Sequence, residues 1–595
     1  MKTQRRDSFV RLVLKAIPQV FRVSPKHFIL EYAFTFLDAL LLVLTIVWLQ
    51  RFFDGIAGIS SGSVPFSSVM MLFSVFALLK ILNEAVDGIA NFYGEFYSNR
   101  SKQQMTDRLN RKVSKLSAVA FEDPEVLDQI NQAYRGAYDV RDLVHVIMDI
   151  LFLYIPYFAF MGIYLYRVQP LLPLILPLTF IPVLGSHLLR SGYYTRLDDQ
   201  TVTLRRKEDH YKECLTSRTY FKETRVLGAS RYFLSLYTRT FKRIQKLRYK
   251  TEINSLRVET TSNVFSLAGY TGILILLVLL LVKGRITIGA FAAILAATFE
   301  MFGLMEEVFE GRLGELSRSV GQIRKYFRFF HLPEQTFGTI HTSNKSDIEL
   351  SHVSFTYPGT SKPAVSDVSL HLRRGETIAI VGENGSGKTT LSKLLLGLYA
   401  PDRGRVLIGG VPLPEISKNE LYKNSSCVFQ DFQRYQLTLR DNVRISDFSA
   451  QQGQDGRIVL DALEVAGFHI NQVQMVNSLD TLISKEFVGT ELSRGEWQRL
   501  SIARAYFRDY QLIVLDEPTA AIDPFEEDRI YKDFMKLKKD RSAIIITHRL
   551  GAVKMADSVC VMREGEIAGQ GTHNALLAKM PYYEHLWNAS GKYMQ

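Results

Sequence analysis

Residues 272–282 read GILILLVLLLV, an apolar run that closes a longer uncharged stretch, 264–282. A helix crossing the hydrocarbon core of a bilayer needs ~20 apolar residues. Backbone N–H and C=O groups find no water there, so each segment must satisfy its own hydrogen bonds as a helix. Five further stretches meet the same requirement: 28–50, a run from Pro65 past Leu82, 143–166, 169–190 and 287–308. The chain-wide averages of 47% hydrophobic and 22% charged residues are ordinary. They conceal a division between an apolar first half and a second half that reads as an α/β domain.

The connections alternate in length. Short links join spans one and two, three and four, and five and six, whereas long, polar, helix-prone stretches join two to three and four to five. These long stretches hold Arg100, Lys102, Arg108, Arg111, Lys112 and Lys115, then Arg205, Arg206 and Lys207. A net charge of +12 suits either nucleic-acid binding or the cytoplasmic loops of a membrane protein. Because the basic residues flank apolar spans, the second reading is preferred and no nucleic-acid partner is expected. It places the long connections and both termini in the cytoplasm. Near the start, Phe9, Leu12, Val13 and Ala16 share a helical face that omits Arg11 and Lys15, the pattern of an amphipathic helix in the membrane interface. Cys214, Cys427 and Cys560 are widely separated, which excludes a zinc or disulfide framework.

Charge also enters the spans. Lys80, Glu84, Asp87, Asn91 and Glu95 follow one helical face. Glu300, Glu307 and Glu310 follow another, while Asp38 and Asp149 lie inside the first and third spans. Charges at such depth face a cavity or a partner charge. Asp38, Glu84 and Glu300 are therefore read as lining an acidic substrate cavity suited to a cationic or amphipathic compound. The competing reading of Lys80 and Glu84 is a structural pair.

From about Ser346 short strands alternate with helical patterns. The stretch ETIAIVGENGSGKTTLSKLLLGLY places an apolar strand before Gly382, Glu383, Asn384, Gly385, Ser386, Gly387, Lys388 and Thr389, with a helix following through Thr390. This is the G-x-x-x-x-G-K-[ST] phosphate loop in its required strand–loop–helix setting. Successive backbone N–H groups wrap phosphates at a helix N-terminus, Lys388 reaches the β- and γ-phosphates, and the Thr389 hydroxyl serves Mg²⁺. A second strand, QLIVLDEPTAAID, carries Asp516 to its end as a metal carboxylate, and Glu517 follows as a base for water. A third, AIIITHRL, presents His548 at its C-terminal edge.

With these motifs in order, the chain resembles ATP-binding-cassette exporters that fuse membrane and nucleotide domains in one polypeptide. The resemblance implies a six-helix all-α transmembrane domain with long cytoplasmic extensions, followed by an α/β cassette. It assigns 1–27 to an interfacial segment, 28–325 to the membrane domain, 326–345 to a linker and 346–595 to the cassette. It implies adenine stacking for Tyr357, a link between Mg²⁺ and water for Gln430, γ-phosphate contact for His548, and communication across a dimer for Ala521–Asp523. AFEDPEVLDQINQAYRG and LTSRTYFKETRVLGAS resemble the two intracellular coupling segments. The subgroup most resembled is bacterial exporters of ribosomally made peptides, such as lantibiotic transporters, in the cytoplasmic membrane.

ELSRGEWQRL resembles the signature segment that clasps ATP held by a second cassette, with Ser493 and Gly495 retained. Arg494 and Glu496 depart from the usual Leu-Ser-Gly-Gly-Gln. Glycine there matters if the backbone needs φ > 0, and Glu496 is expected to face outward with little role. Since Lys388, Gln430, Glu517 and His548 are all present, the resemblance implies a symmetric pair of identical chains, each ATP lying between two copies, with ATP and Mg²⁺ as cofactors. A heterodimeric half-transporter of drugs or lipids, and an importer built on the same fold, are the alternatives.

Overall fold

The computed structural model describes residues 9–60, 62–308, 314–341, 347–447, 455–470, 478–518, 524–538, 540–547 and 550–592. The chain divides into two compact units: Met1–Ser114 with Asp128–Leu332, and Lys115–Leu127 with Pro333–Gln595. The boundary falls inside the stretch 326–345 read as a linker. A short segment of the membrane half groups with the second unit.

The first unit is helical. α1 (Phe9–Phe21) buries Leu12, Ala16 and Val20 and leaves Phe9 and Leu14 exposed. Tyr97 Oη donates to the Val20 carbonyl at 2.5 Å. The amphipathic stripe thus packs on the unit, along a line shifted from the expected Phe9–Leu12–Val13–Ala16. Among the described residues, six helical stretches are long and apolar enough to cross a membrane. They are α2 (Pro25–Ser60), α3 (Phe66–Val113), α4 (Pro124–Asp149) running on through α5 (Ile155–Val168), α6 (Leu172–Thr216), α8 (Ser230–Val282) and α9 (Ile288–Glu306). The short α7 (Phe221–Val226) lies between α6 and α8, and α10 (Gly314–Phe329) follows α9.

Between α4 and α5 the chain makes a π-helical turn, Ile150–Tyr154. Pro156 explains it, since proline lacks the N–H that α register would give to the Phe152 carbonyl. Small residues let helices approach closely where no hydrophobic drive exists between them. At the α2–α9 crossing a Cβ on Gly289 would lie 2.1 Å from the Gln50 carbonyl oxygen, and the Gly289 N–H donates to Asp54 Oδ1 at 2.8 Å.

The second unit holds two sheets. A four-stranded antiparallel sheet has the order β2 (Val365–Leu372), β1 (Ile348–Phe355), β4 (Arg403–Ile408), β5 (Val411–Pro412). A six-stranded sheet runs β10 (Glu566–Gly571), β9 (Ser558–Arg563), β3 (Thr377–Gly382), β8 (Ser542–Ile546), β7 (Leu512–Asp516), β6 (Ser425–Val428), and only β10 is antiparallel to its neighbour. β3, β7 and β8 are buried along their whole length. That explains their unbroken apolar runs, because a parallel sheet is covered on both faces.

α11 (Lys388–Leu395) packs between the two sheets in one hydrophobic core. α12 (Lys418–Lys423) leads into β6. A second core gathers α13 (Leu439–Arg444), α14 (Asp455–Val465), α15 (Arg494–Phe507) and α16 (Pro524–Lys538). α17 (Leu550–Lys554), α18 (His573–Lys579) and α19 (Pro581–Lys592) close the unit beside β9. Parallel order brings the C-terminal ends of β3, β7 and β8 to one edge, where ligands of open α/β sheets bind.

Gly289→Ala is expected to destabilise the α2–α9 crossing by about 1–3 kcal/mol. Thermal unfolding of the purified protein in lipid, read as a lower Tm than the parent chain, checks this.

Candidate functional site

The site grows from the end of β3. Gly382, Gly385 and Gly387 take φ of 155°, 80° and 99°. A Cβ on Gly382 would meet the Met562 carbonyl oxygen at 2.3 Å, and one on Gly387 the Ala364 carbonyl oxygen at 2.4 Å. Only glycine fits this loop, which turns its backbone inward and delivers the chain to the N-terminus of α11. Lys388 curls back over it, with Nζ donating to the carbonyls of Gly382 and Glu383 at 2.8 Å each. Burial lowers its pKa, while Glu517 and Asp516 act in the opposite sense.

Among the described residues, Ser386 Oγ and Asp516 Oδ2 are the members of this site whose buried polar atoms have no hydrogen-bond partner in the protein. Such orphans are costly unless a ligand completes them. Ser386 lies in the phosphate loop. Asp516 ends β7 and is hydrogen-bonded by Thr389. Its pKa is raised, by burial first and by Glu517 next, against the lowering by Thr389 and Lys388. A lone donor among phosphate-facing amides and a lone carboxylate oxygen beside a threonine hydroxyl fit a nucleoside triphosphate and its divalent cation.

Glu517 takes φ of 46°, in the left-handed region that side chains avoid. Its N–H donates to the Ile546 carbonyl at 2.9 Å. Gln430 Nε2 donates to Glu517 Oε2 at 3.0 Å, and Gln498 Nε2, from α15, reaches the Glu517 carbonyl at 3.4 Å. Gln430 and Glu517, distant in sequence, are thus in direct contact. His548 and Ala521–Asp523 lie outside the described residues.

Tyr357 follows β1, and its Oη lies 3.1 Å from Thr390 Oγ1. Around it stand residues with no individual role in the motifs, one of which, Glu122, lies in the stretch AFEDPEVLDQINQAYRG that resembles a coupling segment. Lys393 Nζ lies 5.9 Å from the Tyr357 ring and donates to Tyr399 Oη at 3.0 Å. Tyr399 in turn donates to Glu122 Oε1 at 2.5 Å. Glu122 belongs to the short helical turn Ala118–Glu122 within the segment that groups with this unit. The Tyr399 hydrogen bond, with Lys393 assisting, holds the Glu122 carboxyl below its usual range. Burial raises the Tyr399 hydroxyl to about 12. No local pattern pairs residue 122 with 399, so only the fold reveals this chain.

At the signature segment Ser493 is the N-cap of α15. Its Oγ accepts from the Glu496 N–H at 3.3 Å, and Glu496 Oε2 accepts from the Ser493 N–H at 2.7 Å. This reciprocal capping box corrects the expectation that Glu496 merely faces outward. Its sequence signal was Ser-x-x-Glu itself. Arg494 opens the helix with an exposed side chain, and neither it nor Gly495 is among the positive-φ residues. The backbone there does not need glycine.

In the first unit, Asp38, Glu84 and Glu300 line one cavity of about 450 Å³, together with Lys80, Asp87 and Glu95. Asn83 Nδ2 donates to Asp38 Oδ1 at 2.5 Å. Lys80 and Glu84 also pair at 2.8 Å, so the structural reading of that pair holds alongside the cavity. Glu310 lies outside the described residues. The face of α9 carrying Phe299, Phe302 and Met305 borders another cavity, of about 470 Å³, with Tyr270 and Leu267.

Residues 365–520 match the family described as ABC transporter. The chain is 25% identical over 617 residues to the subtilin transport ATP-binding protein SpaT of Bacillus subtilis, covering 100% of this chain and 97% of that one. It is 27% identical to the nisin transport ATP-binding protein NisT of Lactococcus lactis subsp. lactis, over 86% of each. A bacterial Atm1-family ABC exporter solved with ATP bound shares the fold, with a TM-score of 0.73 at 19% identity over 94% of this chain and 99% of that one. With six membrane-length helices among the described residues of one unit and a domain of the ABC transporter family in the other, the chain has the domain order and fold of ABC exporters, and its cassette is an ATPase coupled to transport.

Proposed function

We propose that two identical copies of this chain export a cationic, amphipathic substrate, a peptide in the first instance, by alternating access driven by ATP. The acidic cavity holding the buried Asp38 with Glu84 and Glu300 carries the substrate class, because carboxylates gathered around a cavity at membrane depth favour a positively charged ligand. In the cavity on the other face of α9, Tyr270, Phe299 and Phe302 suit the apolar part of such a molecule beside the charged Arg190, Glu259 and Glu306. Similarity to transport proteins named for subtilin and nisin supports a peptide. The basic flanks of the spans favour a cytoplasmic cassette.

In this reading Tyr357 stacks on adenine and the loop from Gly382 to Thr390 cradles the phosphates. Lys388 exchanges its loop carbonyls for the β- and γ-phosphates. Thr389, Asp516 and Gln430 hold Mg²⁺, which when bound neutralises charge on the phosphate oxygens. Glu517, oriented by Gln430, takes the proton of the attacking water, and His548 contacts the γ-phosphate. Ser493 and Gly495 of one copy meet the ATP of the other, a self-complementary C2 arrangement. Glu122 reports the state of the Tyr357–Lys393–Tyr399 cluster to the membrane helices that flank its segment.

ATP hydrolysis by the chain purified in lipid tests the core of this proposal. Glu517→Gln should lower it by at least ~100-fold with ATP binding retained; a smaller loss would refute the assigned base. Arg494→Gly should change the rate by less than about threefold, because the helix start already has ordinary geometry. Glu496→Ala should remove the N3 half of the capping box, a hydrogen bond worth about 0.5–1.5 kcal/mol, and cost more activity than Arg494→Gly; the reverse order would disprove the capping role. Glu122→Gln should leave substrate-free ATPase within about twofold and cut substrate stimulation by roughly three- to tenfold, the scale of one ordinary hydrogen bond. Paired ATPase assays with and without a cationic amphipathic peptide read that ratio.

A further inference from the structure

One end of the acidic cavity carries no sequence signal. Glu31, on α2, lies there with 2% of its side chain exposed. Neither of its oxygens accepts a hydrogen bond. Arg141 Nη2 stands off at 3.6 Å and His145 Nδ1 at 3.4 Å, ion-pair distances without a seated donor. Arg141 Nη2 donates one of its hydrogens to the Gly94 carbonyl at 3.0 Å. On its far side His145 faces Asp149, Nε2 to Oδ2 at 3.4 Å. An ionised carboxylate offers about four lone-pair positions, and leaving them empty in a buried place is costly.

A Cβ at Gly94 would sit 3.1 Å from Glu31 Oε1, so a side chain at this position would crowd that oxygen. Gly94, Arg141, His145 and Asp149 all line the cavity with Glu31, which sets eight carboxylates against Lys80, Arg141 and His145.

We propose that Glu31 is a specificity-determining residue whose open acceptors receive the N–H donors of a guanidinium group on the transported substrate. The inference rests on the cavity being the substrate site and adds which carboxylate recognises which group. A guanidinium presents a planar fork of donors that matches a carboxylate in bidentate fashion. A space of about 450 Å³ is near the small end of ligand pockets and suits side chains rather than a whole peptide.

The test uses the full chain in lipid nanodiscs and two dansyl-labelled probes, tri-arginine and its neutral isostere tri-citrulline, with affinities read by fluorescence anisotropy. The parent chain should bind tri-arginine at least about tenfold more tightly. Glu31→Gln should bring the ratio within about threefold, with Glu31→Asp restoring part of it, and Gly94→Ala, which crowds Oε1, should also lower it. Equal binding of both probes by the parent chain would sink the cavity reading itself. Discrimination by the parent that survives in both Glu31→Gln and Gly94→Ala would overturn the role of Glu31 and leave the cavity reading intact. Where Glu31→Gln does not elute as monodisperse protein, Gly94→Ala alone decides.

Discussion

Asp516 sits at the end of β7 with one carboxylate oxygen buried and without a hydrogen bond, while Thr389 bonds to the group. A carboxylate in that condition is poorly solvated and demands a positive partner. The surrounding architecture answers that demand. Parallel pairing of β7 with β8, and of β8 with β3, brings Asp516 beside the phosphate loop. The loop's positive-φ glycines bring Lys388 and Thr389 to the same edge. Glu517, held at φ of 46° by its backbone bond to Ile546, turns its side chain toward Gln430. Strain of this kind persists where surrounding structure over-determines it, and it clusters at reacting centres.

The same constraint recurs in the membrane unit with a different solution. There the helices satisfy their own backbone, so side chains alone decide where polarity is tolerated. Asp38 is met by Asn83, Glu84 by Lys80, and Glu31 by Arg141 and His145 only at a distance. The acids collect around one cavity instead of being spread over lipid-facing surface. α9 divides this space from an aromatic one, so a single helix presents two chemistries. A cargo with separate charged and apolar parts matches that division.

A short segment from the membrane half of the sequence, Lys115–Leu127, packs with the second unit. Ala118 and Val119 rest against its core, and Glu122 closes a hydrogen-bonded line to Tyr399 and Lys393 beside Tyr357. At the opposite end of the nucleotide machinery, α15 joins the signature segment to Glu517 through Gln498. Contacts of this sort let a side chain feel occupancy at a distance because packed elements move as units.

The sequence by itself determined whatever depends on local periodicity and local backbone geometry. Six apolar runs, the strands ending at Gly382 and Asp516, and the glycines of the phosphate loop follow from bilayer thickness, strand burial and positive φ. Ser493-x-x-Glu496 is equally local, since a capping box needs only those two residues three apart at a helix start. Tertiary structure alone decided which distant residues meet: Gln430 with Glu517, Glu122 with Tyr399, and Asp38, Glu84 and Glu300 with Glu31 in one cavity. It also shifted the buried stripe of α1 and inserted the π-turn before Pro156. The physical reason is common to these cases. Spacing along a chain sets which face a residue occupies, but only packing against another element sets what that face touches.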